Sequence, residues 1–381
     1  MACGILPIAM GCVRHDVYNF SCKVVFYGEE SEEVSDVWSM DIGIDLGTAT
    51  VLVFVKSKGV VLHEPSVVAI DQNTNKILAV GAEAKRMLGR TPGHVVAVRP
   101  LRDGVIADYT ITEAMLRYFV KKITPGLSRL FRHRVMISVP SGATGVERLA
   151  VLEAAIEIGA KEAYLIEESM ASAIGAGLDV GEPRGNMVVD IGGGTTDIAV
   201  ISLGGIVVAE ALRIAGDEFD EDIVRMVRKK FNLEIGAQTA ETIKTTIGTC
   251  YRSGEVMRMS VKGRDIVQGL PKQVEVTSDD VMEAIEDSVL SIIRGIRHVL
   301  ELTPAELSAD IIDRGIVLAG GGSLLRGLPE LIFEHTHIPT YVAEHPIECV
   351  ALGTGKALEE LDNLKRSGAV MSTFKRGTRR G

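Results

Sequence analysis

The chain has 381 residues, a formal net charge of −10 and 46% hydrophobic residues, which supports a sizeable core and excludes wholesale disorder. Aromatic residues make up only 4% while glycine occurs 40 times, so many tight turns are expected in place of a thick aromatic core. No uncharged apolar run reaches the roughly 18 residues of a membrane span, and the acidic body argues against a nucleic-acid binder.

The first 39 residues are unlike the rest. They hold Cys3, Cys12, Cys22 and the single tryptophan, Trp38, and carry a net charge of −4. Residues 1–13 are uncharged but short, interrupted by Pro7 and without a basic start, which makes a poor signal peptide. This stretch is expected to be an extension with no stable fold of its own. The remainder contains only Cys250 and Cys349, which gives neither a disulfide framework nor a paired-cysteine metal knuckle and suits a reducing compartment.

From residue 40 the chain carries an internal duplication. Sliding it against itself by 145 positions lays 40–64 (MDIGIDLGTATVLVFVKSKGVVLHE) over 185–209 (GNMVVDIGGGTTDIAVISLGGIVVA). Asp45 falls on Asp190, Gly47 on Gly192, Thr50 on Thr195 and Gly59 on Gly204. Both copies read as strand, polar Gly/Thr turn, strand, glycine turn, strand. Ile42, Ile44, Val51 and Val53 supply the β-branched residues of one copy, and Val188, Val189, Ile198 and Val200 those of the other. The repeat predicts two related β-meanders, each with an acid just before its first turn, set at one cleft.

Helices are expected between and after these copies. Thr144 and Glu147 have capping-box spacing ahead of a helix over 146–158. Residues 217–231 put Phe219, Ile223, Met226, Val227 and Phe231 on one face, with acids in the first turns and bases in the last, as the helix dipole favours. Further helices are expected over 240–247 and 281–302. Strands interleaved with helices indicate α/β architecture. The chain closes on a basic stretch, 365–381, with a net charge of +6.

Three glycine-rich turns carry the chemistry: 45–50 (DLGTAT), 190–197 (DIGGGTTD) and 319–324 (AGGGSL). Glycines let backbone N–H groups approach phosphate oxygens, and successive turn amides form anion-binding nests. An acid ahead of each of the first two turns can hold Mg²⁺ through its water shell. No GxxxxGK[ST] loop and no Rossmann fingerprint occurs.

These turns resemble the phosphate-1, phosphate-2 and adenosine motifs of the actin-like ATPase superfamily. The segments IGIDLGTA, EPSVVAI, RPLRDGVIADY, NMVVDIGGGTTDIAVIS, TPAELSADIIDRGIVLAGGGSLLRGL and CVALGTG are similar to the MreB/Mbl family of bacterial actin homologues. The likeness runs from residue 40 to about 364. It implies a duplicated, two-lobed actin-like (ribonuclease H-like) α/β fold with four subdomains around a nucleotide cleft. Subdomain IA would comprise 40–68, 102–182 and 351–370; IB, 69–101; IIA, 183–218 and 283–350; IIB, 219–282. Residues 371–381 would form the basic tail.

Carried over residue by residue, the resemblance implies ATP and Mg²⁺ as cofactors. Asp45 and Asp190 stand where the family keeps its Mg²⁺-associated acids. Gly47, Thr48, Ala49, Thr50, Gly192, Gly193, Gly194 and Thr195 stand at the phosphate clamps. Glu241 and Lys244 occupy nucleoside-contacting positions, and Gly320, Gly321, Gly322 and Ser323 the turn under the adenine. Glu168 matches the glutamate that orients the attacking water, with Thr195 beside it. Hydrolysis needs charge neutralisation and an aligned nucleophile, with no covalent intermediate.

The chain departs from the family at four of these places. Thr50 stands where Asn is usual, and Ser169 where Pro is usual. Ala237 and Gln238 replace a Glu and an Arg in the segment usually read GERTAE. Each removes or alters a contact near the nucleotide or a constraint on the turn after Glu168.

The resemblance also implies partners: other copies of the chain in filaments, the inner face of the cytoplasmic membrane, and cell-wall elongation proteins including a RodZ-like membrane anchor, with no nucleic acid. In 126–134, Leu127, Leu130 and Phe131 lie among Arg129, Arg132 and Arg134, a pattern suited to shallow insertion into an anionic leaflet. The implied protein is a cell-shape-determining ATPase. The alternative on the same fold is a sugar- or acetate-type kinase, which would need a further acid in a substrate pocket. A chaperone ATPase would need a peptide-binding region, and only 17 residues follow Leu364.

Overall fold

The computed structural model describes residues 41–102, 104–123, 133–252 and 254–373. The extension 1–39, the tail 374–381 and the apolar residues Leu127, Leu130 and Phe131 lie outside the described residues.

The duplication is present as two sheets of the same plan. In the first, Asp41–Leu46, Thr50–Val55 and Gly59–Pro65 form an antiparallel meander. Arg134–Val139 adds parallel to Asp41–Leu46, Glu162–Glu167 adds parallel to that, and Val370–Thr373 closes the edge antiparallel. In the second, Asn186–Ile191, Thr196–Ser202 and Gly205–Leu212 form the meander. Ile316–Ala319 and then Thr340–Val342 add parallel. The 145-residue offset maps the strand Asp41–Leu46 onto Asn186–Ile191, and Gly59 and Gly204 share a positive φ, 75° and 70°. Asp45 and Asp190 are each the penultimate residue of their strand.

Those two strands are buried along their whole length, because both faces of each sheet are covered. On one side, Ile42, Ile44, Val51, Val53, Leu116, Phe119 and Ile137 form the first lobe's core. Val189, Ile191, Ile198, Phe219, Ile223, Ile285 and Ile292 form the second's. Between the sheets lies a helix pair, Glu168–Gly175 and Cys349–Glu359, which packs on Met136 and Ile166 of one sheet and Val188, Ala199 and Ile201 of the other. The pair crosses closely enough for backbone contact. A Cβ on Gly353 would sit 1.8 Å from the Ala171 carbonyl oxygen, and one on Gly175 1.7 Å from that of Cys349.

The helix expected after Thr144 spans Gly145–Glu157, and the reciprocal capping box with Glu147 is formed. The expected 217–231 helix is Gly216–Phe231, with Phe219, Ile223 and Val227 buried. Two helices begin three residues earlier than the periodicity indicated. Ser278–Leu302 starts at a Thr277/Asp280 capping box, and Ala237–Ile247 starts after Gly236. Two small sheets stand apart from the large ones. Val68–Asp71, Lys76–Val80 and Val95–Val98 lie in the segment assigned to IB. Leu233–Glu234, Arg258–Asp265 and Pro271–Thr277 lie in that assigned to IIB. The IIB boundaries at 219 and 283 fall inside the helices Gly216–Phe231 and Ser278–Leu302, so chain continuity there is helical. Cys250 and Cys349 are both free and buried.

Candidate functional site: a cleft between the two meanders

The equivalent ends of the two meanders meet. A Cβ on Gly193 would land 2.5 Å from that of Ala49, so the second turn can approach the first only because residue 193 is glycine. Around this meeting point opens a cavity of about 490 Å³. It is lined by Asp45, Gly47, Thr48, Ala49, Thr50, Glu168, Asp190, Gly192, Gly193, Gly194, Thr195, Glu241, Lys244, Gly320, Gly321 and Gly322. Five separate stretches of sequence thus converge on one space.

Local geometry explains how each side chain gets there. The Thr48 hydroxyl accepts the Gly104 N–H at 3.1 Å, and the Ser66 hydroxyl donates to the Gly47 carbonyl at 2.6 Å. The Gly192 and Gly193 carbonyls accept the N–H groups of Gly216 and Asp217, at 3.2 and 2.7 Å, tying the second turn to the start of a helix. Gly320 adopts φ 78°, open to glycine at little cost, and the turn after it is a short 3₁₀ helix, Gly321–Leu324. Ser323 does not line the cavity. It is 1% exposed and its hydroxyl donates to the Gly320 carbonyl at 2.7 Å, so it braces the turn from behind.

Glu168 opens the helix Glu168–Gly175, directly after the strand Glu162–Glu167. Lys244 pairs with Asp220 at 2.9 Å and donates to the Gly216 carbonyl at 2.6 Å. Glu241 is held by Lys85 across the cleft at 2.8 Å. Gln238, one of the departures from the family pattern, also turns to Lys85, donating to its carbonyl. A second cross-lobe ion pair joins Arg99 and Asp217 at 2.7 Å.

The cleft floor is rich in carboxylates. Burial pushes Asp45 up to about 7, against a Ser138 hydrogen bond at 3.2 Å, and pushes Asp190 up to about 8. Glu168 is raised well above the usual glutamate range by burial and by the nearby charges of Asp197, Asp45 and Asp190. Burial and mutual repulsion disfavour the ionised forms of these acids, a cost that a cation between them would offset. Asp190 Oδ2 is buried and makes no hydrogen bond to any described residue. Among the described residues no cluster of three or more acids, histidines or cysteines is close enough to ligate a metal unaided. Two acids with one free oxygen fit Mg²⁺, which keeps much of its water and leans on phosphate oxygens.

Motif reading missed Lys85, Arg99 and Asp217, which line the same cavity. Only the start of the Gly216–Phe231 helix gave a local hint, through the acids of its first turn.

The profile of the MreB/Mbl protein family matches residues 39–366, so it begins within one residue of the expected start at 40. The cell shape-determining protein Mbl of Bacillus subtilis is 52% identical over 331 residues, covering 87% of this chain and 99% of Mbl. MreB5 of Spiroplasma citri, solved bound to ADP, superposes with a TM-score of 0.81 at 38% identity, covering 86% of this chain and 98% of MreB5. MamK, solved as a double helical filament, gives a TM-score of 0.72 at 25% identity, covering 84% of this chain and 99% of MamK. The kinase alternative finds no support among these relatives. With the family profile spanning nearly all of the described residues and half the sequence identical to Mbl, this chain belongs to the MreB/Mbl family and has the actin-like fold.

Proposed function

We propose that this protein is a cell-shape-determining bacterial actin that binds and hydrolyses ATP, polymerises with its own kind along the inner face of the cytoplasmic membrane, and organises cell-wall elongation. The observation that carries the reading is the convergence of two duplicated Gly/Thr turns, each behind its own buried aspartate, with Glu168 in a single cleft. ADP in MreB5 and the filament of MamK support nucleotide binding and self-assembly here.

In this reading the turn amides of 47–50 and 192–195 receive the phosphates, with the Thr48 and Thr195 hydroxyls as further donors. Asp45 and Asp190 would hold Mg²⁺, which when bound supplies the positive charge that the phosphates and these acids need. The turn at 320–322 passes beneath the base. Glu168 orients a water for in-line attack, and in its ionised form the carboxylate can accept the water's proton. The two lobes carrying the aspartates divide into the four subdomains IA, IB, IIA and IIB. The apolar loop with Leu127, Leu130 and Phe131 serves as the membrane contact, and a RodZ-like anchor as a membrane partner.

The test is negative-stain electron microscopy of the full chain with and without Mg²⁺-ATP, paired with phosphate release. Filaments and turnover are expected with ATP, and Glu168→Ala is expected to retain filaments while losing turnover. No filaments at any nucleotide or salt condition would refute the proposal.

A further inference from the structure

A separate set of polar contacts joins the two lobes beneath the phosphate turns. Asp197 lies on the strand Thr196–Ser202 of the second sheet, 1% exposed and in register with Asp190. Its Oδ1 accepts the backbone N–H of Ser141 at 2.9 Å. Ser141 belongs to the first lobe, in the loop that follows the strand Arg134–Val139. A carboxylate buried this deeply is costly unless hydrogen-bonded, so the contact is a requirement of the fold at that point.

The Ser141 loop in turn touches both sides of Glu168. The Ser141 hydroxyl lies 3.3 Å from that of Ser169, the fully buried residue after Glu168. Arg148 donates to the Ser141 and Ala143 carbonyls at 3.4 and 3.1 Å, and to Glu167, the residue before Glu168, at 3.0 Å. The residues immediately before and after Glu168 are therefore both anchored to one loop, and that loop is anchored to Asp197.

We propose that Asp197 is a positioning residue for hydrolysis, fixing through Ser141 the turn that aims Glu168. In this chain the Ser169 hydroxyl completes the link. The inference rests on reading Glu168 as the group that orients the attacking water. Because Asp197 and Glu168 belong to different lobes, the aim of Glu168 depends on how the lobes meet at the base of the cleft. Small misplacements of an orienting group cost turnover far more than binding.

The test compares steady-state phosphate release and binding of a fluorescent ATP analogue for the full chain at matched polymer mass. Asp197→Ala is expected to lower kcat about tenfold or more with KM within about twofold. Asp197→Asn, which keeps an acceptor oxygen for the Ser141 amide but carries no charge, is expected to retain most of that kcat. Ser169→Ala is expected to lower kcat about threefold. Combined with Asp197→Ala it should add nothing, because both act through one chain of contacts. Wild-type kcat in Asp197→Ala overturns the proposal. So does an Asn variant as slow as the Ala variant, or a double variant that multiplies the single effects. Glu168→Ala runs alongside: undiminished turnover there refutes the parent reading of Glu168, whatever the Asp197 variants do.

Discussion

The helix pair between the sheets sets a sharp prediction, because Gly353 is in backbone contact with its neighbour. A Cβ at 353 would lie 1.8 Å from the Ala171 carbonyl oxygen and 2.6 Å from its carbonyl carbon. Real Cβ contacts essentially never fall below 3.0 Å, so Gly353→Ala forces Cys349–Glu359 and Glu168–Gly175 apart by about 1.2 Å. Neither side can yield by rotating a side chain, since the obstacle is helical backbone. A gap of that size forfeits much of the dispersion contact across the pair, including that of the fully buried Met170, Ala173 and Ala357. Overpacking of this kind costs about 3 kcal/mol, the upper end of its usual range. At about 2 °C per kcal/mol for a chain this large, the melting temperature should fall by about 6 °C. Gly145→Ala is the matched control. Nothing lies within 4 Å of its Cβ position and it opens a helix, so it should be neutral or stabilising. Thermal unfolding followed by circular dichroism measures both. A Gly353→Ala protein melting within about 1 °C of wild type would refute the close crossing.

Three further outcomes are expected. Lys85→Ala removes the bridge to Glu241 across the cleft mouth while leaving Arg99 on Asp217. The pair is partly exposed, so stability should change by less than about 1 kcal/mol, whereas stopped-flow release of a fluorescent nucleotide should accelerate; an unchanged release rate counts against a latch. Asp190 has a folded-state pKa raised from 3.8 to about 8 by burial, so the folded protein keeps a proton that the unfolded chain gives up. Its contribution is therefore favourable at low pH and is lost as pH rises toward 8. Without nucleotide, Asp190→Asn should match wild type in melting temperature near pH 4 and exceed it increasingly up to pH 8. A gap that closes with rising pH would contradict the assignment. Finally, Leu130→Ser with Phe131→Ser should abolish co-sedimentation with anionic liposomes while ATP binding persists; retained sedimentation rules the loop out as the membrane contact.

Much of this protein was legible in one dimension, because much of it is set by local rules and by a repeat. The 145-residue offset exposed two meanders, since each copy carries its own strand periodicity, its own Gly/Thr turn and its own acid. Capping residues and apolar spacing located the helices, and only their first turns were misjudged where Thr277 and Gly236 begin them earlier. Contacts between the lobes left no such trace. Lys85 and Glu241 are 156 residues apart, Arg99 and Asp217 118, and Ser141 and Asp197 56, so no spacing rule links them. Ser323 looked like part of the nucleotide turn by its neighbours in sequence, yet its hydroxyl points back to Gly320, a matter of backbone path alone. Sequence by itself determined the fold, the three turns and the acids, because strand alternation, glycine conformation and charge act over a few residues. Which groups face one another across the cleft, and how the turn at Glu168 is braced, only the folding of one duplicated half against the other decided.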